Sequence, residues 1–369
     1  MKFKIKTSLL IDALTKVSNS IAVKNDIPIL QGVYIEADNN IKTIKIISTN
    51  GEETTISNIK EEEIEISEAG KIVAHRSIVE IIKKISDDAV ILTKADNIIK
   101  LKTAKSVFDI PIYDAEDYPN IPLDISEPFL ELSFDEYRNI IEKTAYCSAK
   151  SDSRPILKGI HFNIGENEIK FVSTNSHILS QKIVTRKSKE IVQFTAPAVN
   201  LEHSLRMFNK DDKLQMTINQ NHLIIKSDNV IYRLRLLEGN YPDTDRLIVT
   251  DFTGFMQLDK QTYLEAMEQI KLVTNKEKIA TLTLAENNIV LSAKSENGKA
   301  EITLPTKSVE GKNEIKFTFN INYMTNHVKA IDGSTFKLGY KKSMAPLGLL
   351  GEETNGEYKL LLPVRTLDE

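Results

Sequence analysis

Residues 28–32, with the sequence PILQG, decide the fold because the chain repeats them. The segment returns 127 residues later as PILKG at residues 155–159. Two further matches keep the same order at nearly the same offset: STNG at 48–51 with STNS at 173–176, and DYPN at 117–120 with NYPD at 240–243. Solenoid and propeller repeats span about 20–50 residues, whereas about 125 residues is the size of a domain. The 369-residue chain has room for a third copy, so it is predicted to use one fold three times.

Each repeat is predicted to contain two amphipathic helices and several short strands. Helical spacing of apolar residues starts near Ser8, Asp135 and Gln261, and again near Ala74, Ala196 and Asn320. Alternating segments such as 33–36, 44–47 and 54–57, separated by turn signals, predict strands. Because each helix must cover an apolar side, we expect an α+β fold with both helices packed on antiparallel sheets. The predicted domains are residues 1–125, 126–250 and 251–369, called here the first, second and third repeats.

The charge pattern neither requires nor excludes a nucleic-acid partner. The formal net charge is −4, unlike that of a typical basic nucleic-acid binder, but a basic face can coexist with an acidic rim. The polar sides of the predicted helices carry cations: Lys16, Arg76, Lys83, Lys84, Arg138, Lys143, Arg206, Lys271 and Lys329. Acidic residues such as Glu80 and Glu142 lie among them. Two interpretations of these cations therefore remain: they form a basic surface for a nucleic acid, or they belong to ordinary solvated helix surfaces.

Catalytic and metal-binding motifs are missing from the sequence. No Gly-Lys pair precedes Ser or Thr, which removes the P-loop, and neither a zincin spacing nor a G-x-S-x-G segment occurs. We interpret the pair Ser176-His177 as part of a repeated turn and not as part of a hydrolase triad. The single cysteine, Cys147, is predicted to be a small core residue in a protein of the reducing cytoplasm. We expect no enzyme activity, no cofactor and no metal, and no run approaches the about 18 apolar residues of a membrane helix.

Five short motifs, in order over the whole chain, carry a resemblance to a known family. They are IPIL at 27–30, RPILKG at 154–159, TNSHIL at 174–179, EGNYPD at 238–243 and LPVR at 362–365. Taken alone, EGNYPD could be an interdomain linker or line a groove, and LPVR could be a final strand or a partner site. Together they resemble the bacterial sliding clamps, the beta subunits of DNA polymerase III.

The resemblance implies a head-to-tail homodimeric ring of six similar domains, with helices around the hole and sheets outside. Such a ring encircles double-stranded DNA without sequence preference and makes a polymerase processive, in the bacterial cytoplasm at the nucleoid. Its implied partners are the DNA polymerase III alpha subunit, other polymerases, repair proteins with clamp-binding peptides and a separate ATPase clamp loader. No membrane is implied.

The resemblance also assigns residues to three surfaces. A pocket between the second and third repeats, which accepts apolar peptide anchors, is expected to be lined by Leu157, Thr174, His177, Leu179, Pro242, Arg246, Leu247, Leu360, Leu362, Pro363, Val364 and Arg365. The expected DNA contacts are Lys24, Arg76, Lys150 and Arg154. The expected dimer contact joins Phe108 and Ile110 of the first repeat to Leu272 and Val273 of the partner's third repeat.

Three features depart from the family pattern. Ile178 stands where an Arg commonly follows the His, residues 196–198 (APA) lack basic residues at a helix start, and the chain continues through the acidic residues 367–369. The second feature predicts fewer DNA contacts in the second repeat. It supports an alternative, a divergent clamp-like interaction protein that binds partners without loading on DNA.

Overall fold

The structure is a computed structural model that describes residues 1–24, 27–60, 64–122, 126–188, 190–274, 276–296, 298–311, 314–353 and 355–365. The predicted departure at residues 367–369 lies outside this range. Over the described residues, no helix is long and apolar enough to cross a membrane.

In its described residues, the first repeat contains nine strands and two helices. In chain order they are β1 (Lys2–Lys6), α1 (Thr7–Ser18), β2 (Gly32–Asp38), β3 (Thr43–Thr49), β4 (Glu53–Ile59), β5 (Glu65–Glu68), β6 (Gly70–His75), α2 (Ser77–Ile82), β7 (Ala89–Ala95), β8 (Ile98–Lys102) and β9 (Val107–Tyr113). A short 3-10 turn, Pro28–Gln31, precedes β2 and contains most of the segment that opened the sequence comparison.

The third repeat follows the same order of elements, and over the described residues the second differs by one strand fewer between its helices. The second contains β10 (Leu130–Ser133), α3 (Phe134–Thr144), β11 (Gly159–Ile164), β12 (Glu168–Thr174), β13 (Ile178–Thr185), β14 (Val192–Pro197), α4 (Ala198–Ser204), β15 (Lys213–Asn219), β16 (His222–Lys226) and β17 (Val230–Arg235). The third contains β18 (Gly254–Asp259), α5 (Lys260–Lys271), β19 (Ile279–Ala285), β20 (Asn288–Ser295), β21 (Gly298–Pro305), β22 (Ser308–Gly311), β23 (Glu314–Asn320), α6 (Ile321–Lys329), β24 (Thr335–Tyr340), β25 (Leu347–Leu350) and β26 (Glu357–Leu361).

The chain divides into two compact units, and the second repeat contributes to both. Unit 1 comprises Met1–Arg138 and Asn200–Leu236, and unit 2 comprises Asn139–Val199 and Leu237–Glu369. Unit 1 contains one antiparallel sheet of thirteen strands, in the order β10-β15-β16-β17-β4-β3-β2-β6-β9-β8-β7-β1-β5. In unit 1, helix α1 packs on α2, and the apolar sides of both helices join a core that includes Leu14 and Ile78.

Unit 2 contains a nine-stranded sheet, β14-β11-β12-β13-β26-β25-β24-β18-β22, and a four-stranded sheet, β21-β20-β19-β23. Helices α5 and α6 pack together over a core that includes Met267, Phe317 and Met324. Each unit therefore contains the same junction between repeats. Strand β17 of the second repeat pairs with β4 of the first, and β26 of the third pairs with β13 of the second.

Polar residues at the ends of strands start two of the helices. Asp259 ends β18 and accepts a hydrogen bond from the backbone N–H of Thr262 at 3.0 Å, and Asn320 accepts from that of Tyr323 at 3.2 Å. Both bonds satisfy backbone donors that a helix leaves free at its first turn.

The structure confirms the predicted α+β class and corrects details of the helices. Strands β2, β3 and β4 contain the predicted segments, and Cys147 is fully buried, with its thiol pKa raised by burial. The second helices begin at Ser77, Ala198 and Ile321, one to three residues later than predicted.

Two of the cations expected on exposed helix sides are buried instead. Lys16 is 6% exposed and pairs with Asp12 at 2.7 Å. Lys143 is 5% exposed and pairs with Asp332 at 2.6 Å while donating to the backbone carbonyl of Ala330 at 2.6 Å. Both ammonium groups are held by their own chain, which leaves neither free to face a polyanion.

Candidate functional site

An apolar patch in unit 2 forms where β13 meets β26. Strand register places Leu179 opposite Leu360, and both side chains are buried together with Val172. Half-buried side chains pack over these three: Tyr241, Ile248, Val249 and Tyr358. We call these seven residues the apolar patch. A buried apolar surface of this kind suits an apolar group of a ligand.

The loop after β17 is held on this patch by paired hydrogen bonds. The Tyr358 hydroxyl donates to the backbone carbonyl of Val249 at 3.1 Å and accepts from its N–H at 2.9 Å. The Tyr241 ring stacks on His161 with centroids 4.6 Å apart and planes 6° apart. Burial lowers the pKa of His161, so its ring stays neutral against the tyrosine at neutral pH.

A cleft of about 560 Å³ in the same unit brings together residues from three segments of the sequence. Its lining comprises Tyr146, Ser148, Ala149, Lys150, Ser151, Ser153, Arg154, Leu157, Asn175, Ser176, His177, Asn322, Tyr323 and Asn326. We call it the polar cleft. It carries two cations, Lys150 and Arg154, and no carboxylate, and neither cation has an ion pair within the described part of the chain. The cleft therefore favours carbonyl, hydroxyl or anionic groups.

Residues 362–364 are fixed beside the polar cleft by backbone hydrogen bonds. The N–H of Leu362 donates to the carbonyl of His177 at 2.9 Å, and the N–H of Val364 donates to that of Thr318 at 2.8 Å. The Leu362 side chain is 36% exposed, so it presents apolar surface next to His177. The His177 ring lies nearly parallel to that of Tyr323, with centroids 6.0 Å apart.

The predicted pocket residues thus fall into several structural settings. Leu179 and Leu360 belong to the apolar patch, while Leu157 and His177 line the polar cleft. The remaining residues are exposed or half-buried, except Thr174: Pro242, Arg246, Leu247, Pro363, Val364 and Arg365. Arg246 pairs with Asp243 at 2.9 Å. Leu247 is 48% exposed, which leaves its side chain available to a ligand.

The role of Thr174 differs from a pocket-lining role. Its side chain is 5% exposed, its hydroxyl donates to the carbonyl of Ile178 at 2.6 Å, and it accepts from the N–H of Ser176 at 3.1 Å. The hydroxyl therefore closes the turn that carries His177. Ile178, where the family commonly has Arg, is 1% exposed and belongs to the core of unit 2.

The predicted DNA contacts are exposed, but two of them line the polar cleft. Lys24 and Arg76 are exposed in unit 1, with Arg76 directly before α2. Lys150 and Arg154 line the polar cleft with Leu157. Two of the predicted DNA contacts therefore lie beside Leu157 and His177, two of the predicted pocket residues.

The predicted dimer residues differ in exposure. Leu272 is 80% exposed at the end of α5, while Val273 is half-buried against the core of unit 2. Phe108 is half-buried, and Ile110 is 1% exposed within the core of unit 1. The Ile110 side chain therefore reaches no surface of its own chain, because strand alternation turns it inward on β9. Val107, on the same strand, is 56% exposed.

Sequence reasoning missed several residues of the polar cleft, among them Tyr146, Asn322, Tyr323 and Asn326. Three of these four lie on α6, far in sequence from the quoted motifs, and Tyr146 lies on a 3-10 turn, Ala145–Cys147, shortly before the RPILKG motif. Their only sequence signal is polarity at positions flanking an apolar helical stripe. Such polarity is also typical of ordinary solvent-facing residues.

Models of three domains of one family match nearly the whole chain. The N-terminal domain of the DNA polymerase III beta subunit matches residues 1–122, its central domain 131–243 and its C-terminal domain 245–365. A "Beta sliding clamp" of Streptococcus pneumoniae is 31% identical over 378 residues, covering 99% of each chain. The chain belongs to the bacterial sliding clamp family. Sliding-clamp function and the three-domain clamp fold follow from this membership.

Relatives and solved structures of the clamp family agree along the full length. A Staphylococcus aureus "Beta sliding clamp" is 29% identical and covers 99% of this chain and 100% of its own. The crystal structure of the Streptococcus pyogenes DNA polymerase beta subunit has a TM-score of 0.94 at 28% identity, over 99% of this chain and 100% of that one. The Bacillus subtilis sliding clamp has a TM-score of 0.92 at 25% identity, over 99% of each chain. The clamp fold therefore extends over the whole chain.

Proposed function

We propose that two copies of this chain close a ring around double-stranded DNA and tether the DNA polymerase III alpha subunit. The observation that carries the proposal is the full-length, three-domain match to sliding clamps. The proposal includes domain boundaries near residues 125 and 250. The working compartment would be the cytoplasm, at the nucleoid, and the chain would contribute processivity without catalysing a reaction.

Free strand edges and one exposed leucine support the dimer. Among the described strands, β21 lies at one end of its sheet, so one of its edges is open. Strand β9 pairs with β6 only at Val73 and Ala74, so the rest of that edge of β9 is also open. Open strand edges are normally covered, and pairing with another chain covers them. Leu272 and Val107 add exposed apolar surface in the third and first repeats. A head-to-tail contact between these repeats closes into a ring when the rotation allows.

Lys24, Arg76, Lys150 and Arg154 supply the DNA contacts of this proposal. Phosphate contacts of this kind give affinity without reading sequence, which is what sliding requires. Residues 196–198 add no cation at the start of α4. The contribution of the second repeat to DNA binding therefore comes from the loop that carries Lys150 and Arg154.

The apolar patch, the polar cleft and residues 362–365 form the docking groove of this proposal. An apolar anchor of a partner peptide packs near Leu179 and Leu360, and the polar cleft holds the adjoining peptide backbone. The alpha subunit, other polymerases, repair proteins and the clamp loader would share this groove. The loader supplies the ATPase that opens the ring.

Retention on DNA after loading tests the proposal. The protein is loaded with a cognate clamp loader and ATP on a nicked circular plasmid, and part of the sample is then linearised. A ring stays on circles and runs off linear ends. Equal loss from both, with dimers still present in solution, would contradict encirclement and favour the clamp-like protein that binds partners without loading.

A further inference from the structure

One fully buried imidazole in unit 2 makes hydrogen bonds in two directions. His327 is 0% exposed on α6, and its Nδ1 lies 2.7 Å from the Tyr146 hydroxyl. Its Nε2 lies 3.0 Å from the backbone carbonyl of Leu360 on β26. The His327 and Tyr146 rings also meet edge to face, with centroids 5.5 Å apart.

The chemistry of the two partners fixes the direction of both bonds. A backbone carbonyl can only accept, so Nε2 of His327 carries the proton and donates to Leu360. Burial lowers the pKa of His327 to about 3, so the ring is neutral at neutral pH. Nδ1 is then an acceptor, and the Tyr146 hydroxyl donates to it. The result is a directed chain of two hydrogen bonds, from Tyr146 through His327 to Leu360.

The two ends of this chain lie in different parts of the docking groove. Tyr146 lines the polar cleft beside Leu157 and His177. Leu360 belongs to the apolar patch, one residue before β26 ends at Leu361. After Leu361 the polypeptide continues through the exposed Leu362.

We infer that His327 is a positioning residue of the docking groove, tying the Tyr146 wall of the polar cleft to the strand that carries Leu360. This inference rests on the proposed function of the groove. A peptide that spans both parts needs a fixed distance between them, and buried hydrogen bonds hold such distances better than apolar contacts alone. The alternative is that His327 only fills core volume.

Removal of single hydroxyls separates positioning from core filling. Tyr146→Phe deletes the donor to His327 and keeps the ring. Tyr263→Phe is the matched control, because Tyr263 is buried in the same core and its hydroxyl has no hydrogen-bond partner among the described residues. Binding of each variant to the purified DNA polymerase III alpha subunit of the same organism is measured by surface plasmon resonance. We expect Tyr146→Phe to weaken binding about three- to tenfold and Tyr263→Phe to leave it unchanged.

A double-mutant cycle tests whether the bonds act as one unit. His327→Asn keeps an amide near the Nδ1 position but does not reach Leu360. If the two hydrogen bonds act as a unit, Tyr146→Phe adds little further loss of binding in the His327→Asn background, whereas independent core filling predicts additive losses.

Hydrogen exchange gives a second readout. The Leu362 N–H should exchange faster in Tyr146→Phe than in Tyr263→Phe.

Leu362→Ala distinguishes failure of this inference from failure of the proposed groove. If Leu362→Ala binds the alpha subunit normally, the groove itself is wrongly placed. If Leu362→Ala loses binding while Tyr146→Phe and His327→Asn bind like the unmodified protein, the groove stands and the positioning role is overturned. A variant with a lower melting temperature but unchanged affinity below it overturns the role in the same way.

Discussion

Leu272→Ala should dissociate the dimer without weakening the fold of the chain. Leu272 is 80% exposed in the single chain, so its side chain contributes little to the free energy of unfolding. Within a dimer interface, the truncation removes about three buried methylene equivalents at about 0.8 kcal/mol each, or about 2 kcal/mol per interface. A ring of two chains contains the interface twice, so the expected loss is about 4 kcal/mol, or about a thousandfold in the dimer dissociation constant.

Sedimentation equilibrium over a dilution series measures that constant, and thermal unfolding of each variant checks the fold. Ile191→Ala is the matched control, because Ile191 is 71% exposed but lies in the second repeat, which is not expected at the interface. Both variants should unfold within about 0.5 kcal/mol of the unmodified protein, as surface substitutions usually do. A dimer constant for Leu272→Ala equal to that of Ile191→Ala would refute the placement of the interface.

Three further outcomes follow from the groove, the cations and the buried imidazole. The double substitution Leu362→Ala and Val364→Ala should weaken alpha-subunit binding by about tenfold or more in surface plasmon resonance while the dimer constant stays unchanged, and normal binding would contradict the pocket assignment. Lys150→Ala with Arg154→Ala should reduce the slope of log affinity for DNA against log salt by about two, and an unchanged slope would exclude both from phosphate contact. Because burial lowers the pKa of His327 from 6.5 to about 3, the unfolded chain binds a proton in that window and the native chain does not. Stability should fall as the pH drops through it, by up to about 1.4 kcal/mol per pH unit, and His327→Gln should show a shallower loss in melts from pH 7 to pH 4.

Much of the fold could be predicted from local pattern. The recurrence of residues 28–32 at 155–159 indicated a domain-sized repeat, and apolar periodicity located all six helices to within a few residues. These signals are short-range, since a helix or strand needs one side apolar at a fixed period. The helix ends were harder, because the apolar residues Ile85 and Phe208 keep the periodicity past Ile82 and Ser204, where the helices end.

The site was only partly predictable, because its two parts depend on which segments meet. The family resemblance indicated His177 and Leu360, yet nothing in the motifs showed that Tyr146 and Tyr323 complete the polar cleft. The burial of polar side chains was also inaccessible to pattern. Lys143 reads as an ordinary polar helix residue until Asp332 is found beside it.

The sequence alone determined the repeated α+β architecture, the absence of recognisable catalytic motifs and, through five motifs in order, the family. Only the tertiary structure decided which cations stay free, that Ile110 faces inward and that His327 links Tyr146 to Leu360. The physical reason is range. Periodicity is set by neighbours three or four residues apart, whereas burial and hydrogen-bond partners are set by residues up to about 190 positions away, as with Lys143 and Asp332.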